Sequence, residues 1–183
     1  MLEAAGVPFE VAPAALDEDA AKAGLAGAGL NPRGIAGELA RLKALSLAVA
    51  PSDLVLGADQ VLEREDGSML SKPQSRAEAL DQLRSLSGAT HLLHSAATIA
   101  QAGEAIWSHT DTAALTMRRF SDDFLSSYLA QEYEAIRWGV GGYRIEGPGA
   151  QLFERVEGSH FTIIGLPLLP LMAYLRERGV LAS

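Results

Sequence analysis

Apolar and polar positions follow two rhythms along this chain. From Asn31 onward the steps are of three and four: Ile35, Leu39, Leu42, Ser46 and Val49 fall on one face. That spacing predicts an amphipathic helix from Pro32 to about Val49, lying against a sheet, with Asn31 as cap and Pro32 in the first turn. Leu54 to Val61 has almost no polar interruption and predicts a strand covered on both faces. In it Gly57 and Ala58 leave room for close approach. Asp59 follows at the predicted carboxyl edge, where open α/β sheets place ligands. The next segment, Glu65-Asp66-Gly67-Ser68, reads as a hairpin turn, and Leu70-Ser71-Lys72-Pro73 sets a lysine in a second turn, so an acid and a base bracket the hairpin.

Ser75 followed by Glu78 is a capping-box pattern, opening a helix through Ala79, Leu80, Leu83 and Leu86 that Gly88 closes. Residues 90–101 and 104–118 predict an antiparallel hairpin around Gly103, with His91, His94 and His109 at its surface; their spacing fits no compact zinc set. Ser121 caps a helix to about Gln131. Residues 152–156 and 161–164 read as strands, and Leu168 to Arg178 as a last helix ended by Gly179.

At the front, residues 1–6 read as a helix end closed by Gly6, and Val7 to Val11 as an edge strand. Asp17-Glu18-Asp19 is an acidic turn or helix cap, and Gly24 to Gly29 a small-residue loop. The glycine-rich Gly139 to Gly149 is no Walker loop, since no Gly-Lys-Ser/Thr follows. The order of elements predicts an α/β or α+β fold, a mixed sheet with flanking helices. Taken singly, Asp59 has an ordinary reading as a helix cap, Lys43 as a snorkelling side chain at the flank of its helix face, and Lys72 as a surface-turn residue.

Length and composition narrow the class. One domain over residues 1–183, with room for two lobes, is enough for this chain, and no run approaches the roughly 18 apolar residues of a membrane span. The start lacks a basic segment leading into an apolar one, so the expected home is cytoplasmic. With no cysteine, a disulfide framework, a thiolate metal site and a Cys nucleophile are all excluded. A formal net charge of −8 argues against nucleic-acid and anionic-membrane partners. A small anionic substrate remains compatible if lysines cluster locally or a divalent cation offsets the field.

Seven stretches together resemble the Maf family of nucleoside triphosphate pyrophosphatases: Leu16-Asp17-Glu18, Ala40 to Ala44, Gly57-Ala58-Asp59-Gln60, Ser71-Lys72-Pro73, Leu86 to His91, Gly142 to Gly147 and Ile164 to Leu168. The likeness covers almost the whole chain. It implies a mixed α/β fold related to the inosine triphosphate pyrophosphatases, two lobes with a cleft, and usually a homodimer. It also implies cleavage of nucleoside triphosphates between the α- and β-phosphates with Mg²⁺ or Mn²⁺. Carried over, Asp59, Glu18, Lys43 and Lys72 would be catalytic, Asp59 and Glu18 the metal ligands, and Lys43, Lys72, Gln60 and Glu146 the substrate contacts. Which carboxylate is the base stays open.

Gln60 after Asp59, and Ile145-Glu146-Gly147 followed by Leu152-Phe153-Glu154, are similar to the branch acting on 7-methyl-GTP. The family's opening strand and Ser-x-Ser-Pro-Arg-Arg type loop have no counterpart ahead of Met1, from which weaker triphosphate binding is expected. The competing class is a nucleotide-binding regulator of septum formation with little or no turnover.

Overall fold

The computed structural model describes residues 1–182. Its helices are α1 (Glu18–Gly27), α2 (Pro32–Leu45), α3 (Arg76–Leu86), α4 (Asp122–Ile136), α5 (His160–Ile163) and α6 (Leu168–Glu177). Its strands are β1 (Val55–Glu63), β2 (Met69–Leu70), β3 (Thr90–Gln101), β4 (Glu104–Met117) and β5 (Phe153–Glu157), in the sheet order β2-β1-β3-β4-β5. β2 runs antiparallel to β1 with Leu70 opposite Leu62, and β5 runs antiparallel to β4. The α/β class expected from the order of elements, a sheet with flanking helices, is the one observed. No described helix is long and apolar enough to cross a membrane.

The chain divides into two compact units. The first comprises Met1–Asp59, Ser95–Asp111 and the chain from Gly165 onward; the second comprises Gln60–His94 and Thr112–Ile164. In the first unit α2 buries Ile35, Ala36, Leu39, Ala40 and Ala44. The predicted stripe through Leu42, Ser46 and Val49 is therefore turned toward the alanines, and the helix stops at Leu45. Small side chains bring a helix closer to its sheet than leucines do. In the second unit Leu62, Leu83, Leu86, Leu93, Leu115, Leu125, Leu129 and Ile136 form one core. Each such side chain contributes about 1.5–3 kcal/mol on burial.

Several expectations fail for identifiable reasons. Residues 161–164 lie in α5 and its end rather than in a strand, because a four-residue apolar run carries no period long enough to separate the two. Val7 to Val11 is irregular, and Gly24 lies inside α1 instead of in a loop. His91 and His94 are buried, not at a hairpin surface. β3 has β1 on one side and β4 on the other, and residues 93–100 are buried without alternation, so its histidines are core residues. Only His109 is half-exposed, stacked on Trp107.

Candidate active site

Three of the sequence-predicted residues meet in the first unit. Lys43 Nζ lies 2.7 Å from Asp59 Oδ1 and 3.1 Å from Glu18 Oε1, so an ammonium on α2 holds one carboxylate from β1 and one from α1.

Each element delivers its side chain for a local reason. Asp17 caps α1, its Oδ1 accepting from the Ala20 N–H at 3.0 Å, and Glu18 becomes the first residue of that helix. Carboxylates there face the positive end of the helix dipole. Asn31 caps α2 by accepting from the Gly34 N–H at 2.7 Å, and Lys43 falls in the last turn, where a cation suits the negative end. Lys43 is three residues beyond Ala40 and so sits beside the buried alanine face.

Asp59 is not at the carboxyl edge of its strand, as expected, but in the middle, because β1 continues to Glu63. Side chains two apart on a strand share a face. A Cβ on Gly57 would lie 2.2 Å from the Ala40 carbonyl oxygen and 2.4 Å from the Ala44 amide nitrogen. Gly57 thus marks the face of β1 that α2 covers, and Asp59, on that same face, meets the lysine that α2 carries.

The electrostatics follow from burial. The Asp59 side chain is only 9% exposed, and desolvation lifts its carboxyl above the ordinary aspartate value against the hydrogen bond and charge of Lys43. The Glu18 charge pushes in the same upward direction and the Lys22 charge downward. Burial works against the Lys43 ammonium as well. The hydrogen bonds and charges of Asp59, then of Glu18, outweigh it and hold Lys43 above the usual lysine range. The product is a permanently charged ammonium beside a carboxylate that takes a proton more readily than a solvated one.

Lys22 was not visible as a site residue. Its signal is the four-residue step from Glu18 behind the Asp17 cap, which an expected loop from Gly24 to Gly29 obscures and the helix Glu18–Gly27 restores.

Gln60, Lys72 and Glu146 stand in the second unit. The Gln60 amide nitrogen donates to the Thr162 and Ile163 carbonyls, each at 3.0 Å, and so holds the end of α5. Lys72 is exposed in the turn between β2 and α3, next to a buried Pro73. Glu146 is exposed in the turn before a short 3-10 stretch, Pro148–Leu152.

Among the described residues no three His, Cys, Asp or Glu side chains gather as a metal-binding group. Two carboxylates converging on one cation is nonetheless the number that Mg²⁺ takes from a protein when substrate phosphates and water complete its octahedron. The donor set at Asp59 and Glu18 fits such an ion.

The nucleoside triphosphate pyrophosphatase of Sphingopyxis alaskensis is 49% identical over 181 residues, covering 98% of this chain and 91% of that protein. The protein of the same name from Paramagnetospirillum magneticum is 48% identical, covering 99% and 93%. The 7-methyl-GTP pyrophosphatase of Rhizobium etli is 43% identical, covering 99% and 91%. The family model described as Maf-like protein matches residues 1–178, and the chain belongs to the Maf family.

Proposed function

We propose that this protein hydrolyses nucleoside triphosphates to the monophosphate and pyrophosphate, with 7-methyl-GTP among its substrates. The observation that carries the reading is the contact of Lys43 with the largely buried Asp59 and the more exposed Glu18. A triphosphate site uses both signs of charge, carboxylates for a cation and an ammonium for the phosphates, and this cluster brings the two together.

In this reading Asp59 accepts the proton of the attacking water. Its deeper position, with a side chain 9% exposed against 45% for Glu18, favours it over Glu18. The water oxygen bonds to the α-phosphorus, the bond from that phosphorus to the bridging oxygen breaks, and pyrophosphate leaves with the electron pair. Lys43 and Lys72 hold phosphate oxygens as point charges and stabilise the charge that builds on the leaving group. Asp59 and Glu18 would hold a divalent cation, which when bound neutralises phosphate charge as a Lewis acid. Gln60 and Glu146 complete the substrate contacts. The identity of the Rhizobium etli relative and the Ile145-Glu146-Gly147 sequence support 7-methyl-GTP. A cytoplasmic homodimer belongs to the same reading, and light scattering on the purified protein checks the dimer.

Pyrophosphate release is measured with Mg²⁺ and, separately, GTP, UTP, dTTP and 7-methyl-GTP, using Asp59→Asn as the control. Release that Asp59→Asn lowers by about 10²–10⁴ is expected of a lost general base. Release unaffected by that substitution, or none from any of the four, refutes the reading.

A further inference from the structure

The turn that carries Lys72 is short and exposed, a setting in which a lysine would ordinarily wander. It is held by a clasp of three side chains, all within the second unit.

Ser75 caps α3 by accepting from the Glu78 N–H at 3.1 Å. In a capping box the glutamate would return to the cap residue's own N–H. Here Glu78 Oε2 reaches one residue further and accepts from the Gln74 N–H at 2.8 Å. The Gln74 amide nitrogen in turn donates to the Lys72 carbonyl at 3.2 Å. Gln82, one turn beyond Glu78 on the same helix face, donates from its Nε2 to the Ser71 carbonyl at 3.0 Å and to Glu78 Oε1 at 3.3 Å.

The two carbonyls so held, those of Ser71 and Lys72, belong to the two peptide planes on either side of the Lys72 Cα. Fixing both planes fixes the direction in which the lysine side chain leaves the backbone. Pro73 adds to this, since a residue before proline is confined to the extended region. Pro73 is itself buried, which anchors the turn from its other side.

Gln82 has no obvious reason to be polar. It is 7% exposed, between the apolar positions Ala79, Leu83 and Leu86 of α3, and its Oε1 is buried with no hydrogen-bond partner. Leaving a buried acceptor unsatisfied is unfavourable, and a methionine of the same length would fill the space without that cost. What the amide adds is the donor that reaches Ser71.

We infer that Gln82, with Glu78 and Gln74, is a positioning residue that aims Lys72 at the phosphates. This rests on the proposed function, in which Lys72 is the phosphate contact. The side chain acts through the lysine and touches no substrate.

A double-mutant cycle in the full chain tests it, with kcat and KM measured from pyrophosphate release from GTP and Mg²⁺. Gln82→Met is expected to lower kcat/KM about three- to tenfold, the worth of one neutral hydrogen bond, with Tm unchanged or higher. In a Lys72→Ala background the same substitution should cost nothing more. Amide exchange across residues 71–74 should quicken in Gln82→Met. Gln74→Ala, an exposed change with no packing cost, should lower kcat/KM in the same Lys72-dependent way, which keeps the test alive should Gln82→Met fold poorly.

An equal loss with and without Lys72, unchanged exchange in the turn, or full activity in both Gln82→Met and Gln74→Ala overturns the inference. If Lys72→Ala itself costs nothing, the role of Lys72 falls and the inference with it, whereas a clasp that fails while Lys72→Ala still impairs turnover leaves the proposed function standing.

Discussion

Replacing Gly57 by alanine tests how the site is assembled. The added methyl would stand 2.2 Å from the Ala40 carbonyl oxygen, 2.4 Å from the Ala44 nitrogen and 3.0 Å from the Ala44 Cα. All three are helix backbone, so no rotamer change relieves them. Ordinary contact needs about 3.5 Å, and α2 must retreat by roughly 1 Å. Lys43 rides on α2 and Asp59 on the strand, and their 2.7 Å hydrogen bond lengthens beyond bonding range with that retreat. Overpacking of this kind costs about 1–3 kcal/mol. At about 2–4 °C per kcal/mol for a chain of this size, Tm falls by roughly 2–12 °C. A misplacement of about 1 Å in a catalytic group costs on the order of a hundredfold in rate. Thermal unfolding followed by circular dichroism, together with pyrophosphate release, measures both. A Gly57→Ala protein with Tm within about a degree of the parent, in the resolution the size scaling allows, and with undiminished turnover would show that close helix–strand approach does not set the site.

Gly24 offers the opposite case: it lies inside α1, and a Cβ there meets nothing within 4 Å. Gly24→Ala should stabilise the protein by about 0.5–1 kcal/mol, and any destabilisation in a denaturant melt would contradict the helical setting. His91 should dominate part of the acid response, since burial pushes its pKa down from 6.5 to about 4. Between those values the unfolded chain binds a proton that the folded chain refuses, so stability is intact above pH 6.5 and falls by about 3 kcal/mol as the pH drops to 4. His91→Gln should flatten that decline, and identical pH slopes for both proteins would exclude His91 as its source.

The sequence carried a good deal of this. Caps were legible because they are local: Asp17, Asn31, Ser75 and Ser121 each accept from a backbone N–H three residues on. The β3–β4 hairpin was legible from Gly103, and the candidate site residues were proposed from seven stretches that resemble a family; three of those residues the structure brings into contact. The Lys43–Asp59 contact was not legible as a contact, because the two residues are sixteen apart in the chain and only packing brings them together. The same limit applied to the histidines. Whether His91 and His94 face solvent depends on which strands flank theirs, and pairing partners are chosen across the chain. Burial of His91 against Tyr143 and of His94 against Glu63 and Thr112 is a property of the assembled sheet.

Helix faces fall between these cases. The three-and-four rhythm correctly marked α2 as amphipathic and Ile35 and Leu39 as buried, yet continued the stripe through Leu42 rather than through Ala36, Ala40 and Ala44. Tertiary structure selected the alanines, since only small residues let the helix lie against Gly57 closely enough for an ammonium to reach an aspartate on the strand. Local chemistry thus determined the caps, the turns and the kinds of charged group available. Long-range packing alone decided which of those charges meet and how far each is removed from water, because burial and proximity depend on residues remote in the chain.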